Sequence, residues 1–279
     1  MLAFDVQAEL GEGALWDWRH GLLVSVDVPA GRLLLSDPGD GTTRATDLGQ
    51  PVSTALLRGR DELLLAVRDG FASVELTGGA VSPLVAVEAD LPGNRMNDGA
   101  CDAHGRCFAG TMAFDKTPGA GALYRLDPDL SVHRILDGIG ISNGIGWSPD
   151  GERMYHVDTL TGGVDEYDYD PSTGEPAGRR RLVDAQPGWG RPDGLAVDVE
   201  GGIWVAFWDG WAVRRFDRAG ALSEVIELPV ARPTRPAFGG QGLDRLYVTT
   251  ARDSGGLGGA ILAVAPRPAE RRPGRPGDR

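Results

Sequence analysis

The feature that most constrains the fold of this sequence is a pattern that recurs along the chain. A glycine opens an apolar run, a turn rich in Asp and Gly follows, and a second alternating run returns. The clearest copies are aligned at Gly13, Gly99, Gly144 and Gly194, with gaps of 86, 45 and 50 residues. Weaker copies near residues 53–65 and 236–248 bring the number of units to about six. A period of about 45 residues with several short strands per unit is typical of a β-propeller.

The sequence therefore predicts an all-β fold, a six-bladed β-propeller with almost no helix. The expected blades span residues 12–37, 52–76, 97–126, 143–169, 193–217 and 235–265. Residues 2–10 alternate between apolar and polar, and we expect them to form an N-terminal strand that completes the last blade and closes the ring. We expect a single domain over residues 1–265. Residues 266–279 offer little to bury and are predicted to be a disordered C-terminal tail.

Charge and hydropathy exclude some classes of partner. The formal net charge of −12 argues against binding to nucleic acid or to an anionic membrane. No apolar run is long enough to span a membrane, and we expect no signal peptide, because the first residues pass directly into an alternating pattern. We therefore expect a cytoplasmic protein. The pattern leaves the oligomeric state open, with a monomer among the possibilities.

The two cysteines lie on either side of one predicted hairpin turn, which would set Cys101 opposite Cys107. A cross-strand disulfide needs suitable geometry and an oxidising compartment. The favoured prediction is a pair of reduced thiols packed within a blade.

Three polar residues share one position in the repeat. Glu12, Asn143 and Asp193 each come directly before the glycine that opens an inner strand. Residues in one phase of a propeller repeat lie on a ring at one end of the central channel, so their oxygen atoms would converge. Such donors suit Ca²⁺, Mg²⁺ or Mn²⁺, with Zn²⁺ and Fe²⁺ also open. Asn or Asp before Gly usually caps a turn, but the recurrence in phase favours a divalent metal site.

A further polar group precedes the third clear copy of the repeat. Arg95 could present a multi-donor fork to an oxygen-rich substrate at the same mouth, and Asn97 offers both a donor and an acceptor. An exposed loop charge is an equally consistent interpretation of Arg95. Asp98 matches the phase of the expected ligands more closely than Asn97, and its role is left open.

One catalytic motif is rejected. Residues 140–144 fit the G-x-S-x-G pattern of serine hydrolases. That nucleophile elbow requires a strand-to-helix turn together with a histidine and an acid, whereas a strand is predicted to follow Ser142. We therefore predict that Ser142 is not a nucleophile, and that the histidines serve in turns or in packing.

Six motifs together resemble the regucalcin–gluconolactonase (senescence marker protein) family, in the family's order and over residues 11–265. They are Gly11-Glu12-Gly13-Ala14-Leu15-Trp16, Asn94-Arg95-Met96-Asn97-Asp98-Gly99, Gly110-Thr111-Met112, Ile141-Ser142-Asn143-Gly144, Trp147-Ser148-Pro149-Asp150-Gly151 and Pro192-Asp193-Gly194. The resemblance implies a six-bladed propeller that holds one divalent metal and hydrolyses sugar lactones.

The resemblance also implies a role for individual residues. Glu12, Asn143 and Asp193 match the metal ligands, and Asp193 matches the proton acceptor as well. Arg95 and Asn97 match substrate-contacting positions, and Asp115 falls where some members have a substrate-binding glutamate. The sequence departs from the family where Arg235 replaces a common serine and where Asp115 is one methylene shorter than that glutamate.

These observations lead to one main functional hypothesis, which is metal-dependent hydrolysis of sugar lactones to aldonic acids with Asp193 as general base, in carbohydrate metabolism. The alternative from another class is a non-enzymatic propeller that binds calcium or another protein, because this fold often carries no catalysis. A third possibility is hydrolysis of phosphotriesters on the same metal.

Overall fold

The computed structural model describes residues 1–77, 79–254 and 256–266. Within these residues, 24 β-strands form six four-stranded antiparallel sheets, and none of the residues is helical. Consequently this part of the chain contains no helix that could cross a membrane. The prediction of an all-β, six-bladed β-propeller is confirmed.

The strands follow the chain blade by blade, after β1 (Leu2–Phe4). Blades 1 and 2 contain β2 (Gly11–Asp17), β3 (Leu22–Asp27), β4 (Arg32–Asp37), β5 (Thr42–Asp47), β6 (Val52–Arg58), β7 (Glu62–Val67), β8 (Gly70–Glu75) and β9 (Ser82–Ala86). Blades 3 and 4 contain β10 (Asn94–Cys101), β11 (Cys107–Ala113), β12 (Gly121–Leu126), β13 (Val132–Ile139), β14 (Ser142–Trp147), β15 (Arg153–Asp158), β16 (Gly163–Asp170) and β17 (Glu175–Asp184). Blades 5 and 6 contain β18 (Arg191–Val197), β19 (Ile203–Trp208), β20 (Ala212–Phe216), β21 (Leu222–Glu227), β22 (Pro233–Gly239), β23 (Arg245–Thr250) and β24 (Ile261–Val264).

The N-terminal strand closes the ring. Strand β1 pairs with β24, so that blade 6 has the order β1-β24-β23-β22. This confirms the predicted closure, although the strand covers residues 2–4 and not 2–10. The backbone at Gln7 turns into the left-handed region with φ of 50°, which ends the extended run.

The first strands of neighbouring blades contact one another in a closed circle, in the order β2, β6, β10, β14, β18, β22 and back to β2. Six apolar clusters fill the spaces between neighbouring blades. On β7, for example, Leu63 and Leu65 pack toward blade 1, whereas Leu64 and Ala66 pack toward blade 3. Since successive side chains of a strand point to opposite faces, one strand serves two interfaces.

The blade limits expected from the sequence were too short for the first five blades. The structure adds a fourth, outer strand to each of them, for example Thr42–Asp47 in blade 1 and Leu222–Glu227 in blade 5. These strands are largely exposed and polar, because only one neighbour covers them. They therefore lack the apolar alternation by which the inner strands can be detected.

The prediction of reduced thiols was wrong. Cys101 and Cys107 are directly paired across the β10–β11 hairpin and form a disulfide. The expected pairing of the two residues was correct, but pattern alone does not decide whether two adjacent thiols are oxidised. The predicted disordered tail, apart from Pro266, lies outside the described residues.

Candidate functional site

Each of the six first strands has an irregular register near its start. The shifts lie between residues 12 and 15, 52 and 54, 96 and 99, 142 and 145, 192 and 195, and 233 and 236. A bulge of this kind leaves residues unpaired in the ladder and re-aims their side chains. The polar residues in or beside these shifts include Glu12, Ser53, Asn97, Asp98, Asn143, Asp193, Thr234 and Arg235. The fold thus places at least one polar residue of every blade at the register shift of its first strand.

The amide of Asn143 is held in one orientation by Thr159 of its own blade and by Asn97 of blade 3. Its Nδ2 donates to Thr159 Oγ1 at 2.8 Å, and Thr159 Oγ1 donates to the carbonyl oxygen of Pro192 at 2.8 Å. Its Oδ1 accepts from Asn97 Nδ2 at 3.1 Å. The bond from Nδ2 to Thr159 fixes which way the amide faces. The amide oxygen lies beside Asn97 and can accept one further bond, because it has two lone pairs.

Arg95 and Asn97 form a second connected pair. Arg95 Nη1 donates to Asn97 Oδ1 at 2.8 Å, and Asn97 Nδ2 also donates to the carbonyl oxygen of Ser142 at 2.8 Å. Burial lowers the pKa of Arg95, while the carboxylates of Glu12 and Asp193 act in the opposite direction. This guanidinium therefore lies within the electrostatic field of the expected ligands.

Three acidic side chains repel one another at this level of the channel. Burial, and then the charge of Asp98, raise the pKa of Glu12 to about 8. Burial, followed by the charges of Glu12 and Asp98, raises the pKa of Asp193 well above its usual range. The Gly13 N–H donates to Glu12 Oε2 at 3.1 Å and favours the charged form, but this single bond does not offset desolvation and repulsion.

Arg235 reaches into this acidic group from blade 6. Its Nη1 donates to Asp98 Oδ1 in a short ion pair and to the carbonyl oxygen of Gly99 at 2.9 Å. The positive charge of Arg235 also acts to lower the pKa of Glu12 and of Asp193. The site therefore combines three carboxyl groups with two guanidinium groups.

Several buried polar atoms here have no hydrogen-bond partner. They include Asp98 Oδ2, Asp193 Oδ1, Thr54 Oγ1 and Arg235 Nε. Buried polar atoms are nearly always satisfied in folded proteins, so a group of orphans calls for a missing partner. Unpartnered carboxylate oxygens beside an amide oxygen are the hard donors that a divalent cation takes. The donor set of Glu12, Asn143 and Asp193 therefore fits a divalent metal.

No three His, Cys, Asp or Glu side chains within residues 1–77, 79–254 and 256–266 are grouped as a ready-made metal cluster. One reason is that the expected ligand set contains an amide, Asn143, in addition to two carboxylates.

A match to a protein-family model shows which family this chain belongs to. The family model described as "SMP-30/Gluconolactonase/LRE-like region" matches residues 10–252. The chain belongs to this family. Membership supports a function of the sugar-lactonase type, and it confirms the resemblance seen in the motifs.

Individual members of the SMP-30/gluconolactonase family are similar to most of this chain. Regucalcin of Xenopus laevis is 35% identical over 251 residues, which cover 88% of this chain and 84% of the relative. Among solved structures, a calcium-binding regucalcin from Agrobacterium tumefaciens shares 29% identity with a TM-score of 0.91, covering 98% of this chain and 94% of that one. A luciferin-regenerating enzyme shares 29% identity with a TM-score of 0.89, covering 96% and 95%.

Asp115 lies apart from the other site residues suggested by the family likeness. It is exposed in the connection between β11 and β12, and its Oδ1 accepts from the Thr117 N–H at 2.9 Å and from Thr117 Oγ1 at 2.7 Å. The hydroxyl and then the amide of Thr117 lower the pKa of Asp115. Among the described residues, no hydrogen bond links it to Arg95 or Asn97, so its substrate contact stays a prediction.

Ser142 of the rejected G-x-S-x-G motif has a histidine partner that the sequence did not reveal. Ser142 Oγ and His156 Nε2 lie 2.9 Å apart, and both side chains are buried. Burial lowers the pKa of His156 to about 4, so the ring is neutral. The hydroxyl lies against Gly110, where even a Cβ atom would collide with it. Since the Ser142 side chain is enclosed, the geometry favours a packing role.

Sequence reasoning missed two residues of the site, Thr159 and Arg235. Thr159 gave no signal, since it lies after strand β15 and acts only by orienting Asn143. Arg235 did give a signal, because it replaces a serine that is common in the family, but its place in the register shift of blade 6 was visible only in the structure. A charged residue beside a ring of polar positions could have been predicted to join that ring.

Proposed function

We propose that this protein is a divalent-metal-dependent lactonase that hydrolyses sugar lactones to aldonic acids. The observation that carries the proposal is the group of Glu12, Asp98 and Asp193 at the register shifts, in which Asp98 Oδ2 and Asp193 Oδ1 are buried without a partner, in a member of the gluconolactonase family. Such a group is costly to bury unless a cation balances it.

Glu12, Asn143 and Asp193 are the residues that would hold the cation. A bound divalent cation would supply Lewis-acid polarisation of the lactone carbonyl and charge for the developing oxyanion. Thr159 keeps the amide of Asn143 turned so that its oxygen stays available as a donor. Arg235 pairs with Oδ1 of Asp98, whereas Oδ2 of that carboxylate is buried without a partner and would be a further candidate donor.

Asp193 is the proton acceptor in this proposal. Its Oδ1 is buried without a hydrogen-bond partner, which leaves that atom free to take a proton from the attacking water. Burial, and then the charges of Glu12 and Asp98, raise the pKa of Asp193 above its usual range, which makes its carboxylate a stronger base.

Arg95 and Asn97 orient the substrate. The guanidinium of Arg95 can donate to sugar oxygens, including the ring oxygen. Asn97 Nδ2 already donates to the Ser142 carbonyl and to Asn143 Oδ1, so Asn97 offers a sugar hydroxyl the remaining acceptor capacity of its Oδ1 beside Arg95. Asp115 would reach the sugar only from the β11–β12 connection. These polar contacts favour polyhydroxylated lactones over apolar esters.

A non-enzymatic calcium-binding propeller remains the second candidate, because one structural relative is named as a calcium-binding protein. Three repelling carboxyl groups would serve calcium binding without any reaction. In that case the cation should bind but chelation should change no hydrolytic rate. An interaction scaffold is less well supported, because a scaffold needs no buried acidic group.

A substrate panel tests the proposed reaction. Chelator-treated protein is assayed on glucono-, xylono-, galactono- and arabinono-lactones and on one phosphotriester, with Ca²⁺, Mg²⁺, Mn²⁺, Zn²⁺ or Fe²⁺ added singly. We expect cation-dependent lactone opening above the spontaneous rate, with Asp129→Asn, a change in an exposed turn, behaving as the wild type. Cation binding without lactone opening would support the calcium-binding alternative. If the phosphotriester is hydrolysed faster than every lactone, the substrate class is phosphotriesters and not sugar lactones.

A further inference from the structure

The strongest unexplained feature is the buried ion pair between Arg235 and Asp98. The two residues are 7% and 3% exposed and lie 137 positions apart, on the first strands of blades 6 and 3. Breaking a buried pair by removing one partner is costly, because the other charge is left uncompensated. In this position, the charges of Arg235 and Asp98 also act on the neighbouring carboxyl groups of Glu12 and Asp193.

The position of the guanidinium is determined by its own blade and its neighbour. The Cβ of Arg235 lies against Gly194, where an added Cβ would come within 2.7 Å of it. This glycine, directly after Asp193, allows the Arg235 stem to pass. Nη1 then bonds to Asp98 and to the Gly99 carbonyl, while Nε is buried without a partner. The guanidinium is thus inserted into the acidic group and does not extend to solvent.

The insertion of Arg235 changes the sum of charges that a metal ion would meet in the channel. Glu12, Asp98 and Asp193 bring three carboxyl groups together, and Arg95 and Arg235 bring two permanent positive charges. The exposed Arg191, which pairs with Asp209, also acts on Asp193. A divalent cation added to this site meets the repulsion of both guanidiniums. The guanidinium of Arg235 is always charged and is part of the chain, so unlike a metal ion it does not have to be bound from solution.

We propose that Arg235 is a built-in counter-cation of the channel, which neutralises Asp98 and competes electrostatically with a divalent metal. The site consequently stays folded without metal and binds metal more weakly than the same site would with a neutral residue at position 235. This inference rests on the proposed metal site, but its two halves, stability without metal and affinity for metal, are measured separately.

The test separates the charge of residue 235 from its size. Arg235→Met keeps most of the length and removes the charge, whereas Arg235→Lys keeps the charge. Arg215→Met is the matched control, because Arg215 forms an equally buried pair with Asp198, at 2.7 Å, away from the channel. Metal-free protein is titrated with Mn²⁺ and with Ca²⁺ by calorimetry, and urea unfolding is followed in EDTA.

We expect Arg235→Met to bind cation at least about tenfold more tightly than the wild type, since removing a positive charge near a divalent ion is worth at least that factor. Arg235→Lys should stay within about threefold of the wild type, and Arg215→Met should not change the affinity. In EDTA, Arg235→Met should unfold at lower urea than Arg235→Lys, and saturating cation should remove that difference.

Equal cation affinities for the wild type and Arg235→Met would overturn the competition. Equal urea midpoints of the Met and Lys variants in EDTA would overturn the counter-charge role. If none of the proteins binds a cation, the metal part of the proposed function is wrong, and the urea comparison alone decides whether Arg235 balances the acidic group. Should Arg235→Met fail to fold in EDTA, the double variant Asp98→Asn/Arg235→Met must restore folding, or the proposal is rejected.

Discussion

Asn97 and Asn143, 46 residues apart on the first strands of adjacent blades, share a hydrogen bond of 3.1 Å from Nδ2 to Oδ1. This bond joins an expected substrate-contacting residue to an expected metal ligand. A substitution at either amide therefore removes a hydrogen bond from the other. The orientation of Asn143 depends in turn on Thr159.

Replacement of Thr159 by Val tests this dependence. The isosteric change removes the acceptor of Asn143 Nδ2 and the donor to the Pro192 carbonyl. We expect a loss of about 1–2 kcal/mol in the free energy of unfolding and roughly tenfold weaker cation binding by calorimetry, because the amide oxygen is no longer held. The matched control is Thr161→Val, which removes a partly buried bond to the Asp158 carbonyl and no contact with Asn143. Equal cation affinities of the two variants would show that Thr159 does not orient the ligand.

Replacement of Asp193 by Asn separates its two proposed roles. The amide keeps the shape and one ligating oxygen but loses the basicity. We expect moderately weaker metal binding, with kcat lower by roughly 10²–10⁴-fold, which is the usual effect of a positioned general base. Metal stoichiometry and single-turnover lactone opening at saturating cation measure the two effects. Full occupancy with near-normal chemistry would exclude the base role.

Replacement of Ser142 by Ala should leave lactone turnover within about fivefold of the wild type. The hydroxyl is enclosed between Gly110 and His156 and cannot reach a substrate. Stability should fall by about 1–3 kcal/mol, because His156 Nε2 loses a buried partner. Steady-state kinetics and urea unfolding report the two quantities. A loss of several hundredfold in kcat with normal metal binding would restore the nucleophile interpretation.

The acidic group predicts an unusual dependence of stability on pH when no cation is bound. The pKa of Glu12 is about 8 in the folded protein, against an ordinary value of 4.5. The folded state therefore holds more protons than the unfolded state between these values, and stability declines as the pH rises through 8. For Glu12 alone the loss from pH 7 to pH 9 is about 1.4 kcal/mol.

Urea unfolding in EDTA at several pH values measures this decline, and His156 does not disturb it, because its pKa of about 4 lies well below this window. Glu12→Gln should remove the decline, in part or completely, and saturating cation should reverse it in the wild type. A free energy of unfolding that stays constant from pH 7 to pH 9 would contradict the proposed repulsion.

The disulfide between Cys101 and Cys107 predicts that the protein purified without reductant has no reactive thiols. The bond closes a short loop, with a sequence separation of 6. Removing it with the double variant Cys101→Ser/Cys107→Ser should lower the free energy of unfolding by about 2 kcal/mol. Alkylation before and after reduction, followed by mass spectrometry, counts the thiols. Labelling of both cysteines without reductant would show that they are reduced.

The local pattern of the sequence determined the architecture. The recurring glycine and the Asp-Gly turns predicted where the inner strands begin and turn, and the hairpin turn at residues 148–152 has Gly151 in the left-handed region with φ of 75°, as its sequence requires. The alternating N-terminal residues predicted closure of the ring. Turns depend on backbone geometry, and the apolar pattern of a strand depends on whether one or both of its faces are buried. Both are determined by residues that are close together in the chain.

Only the tertiary structure decided which side chains interact across the channel. The pairs Arg235–Asp98, Ser142–His156 and Asn97–Asn143 connect different strands or blades, and a repeat cannot specify their rotamers or their hydrogen-bond directions. The outer strands were missed because exposure removes their apolar pattern. The charge balance of the site was missed for a different reason, because it depends on a contact between two blades. Arg235 enters the acidic group only because Gly194 in the neighbouring blade leaves room for its stem.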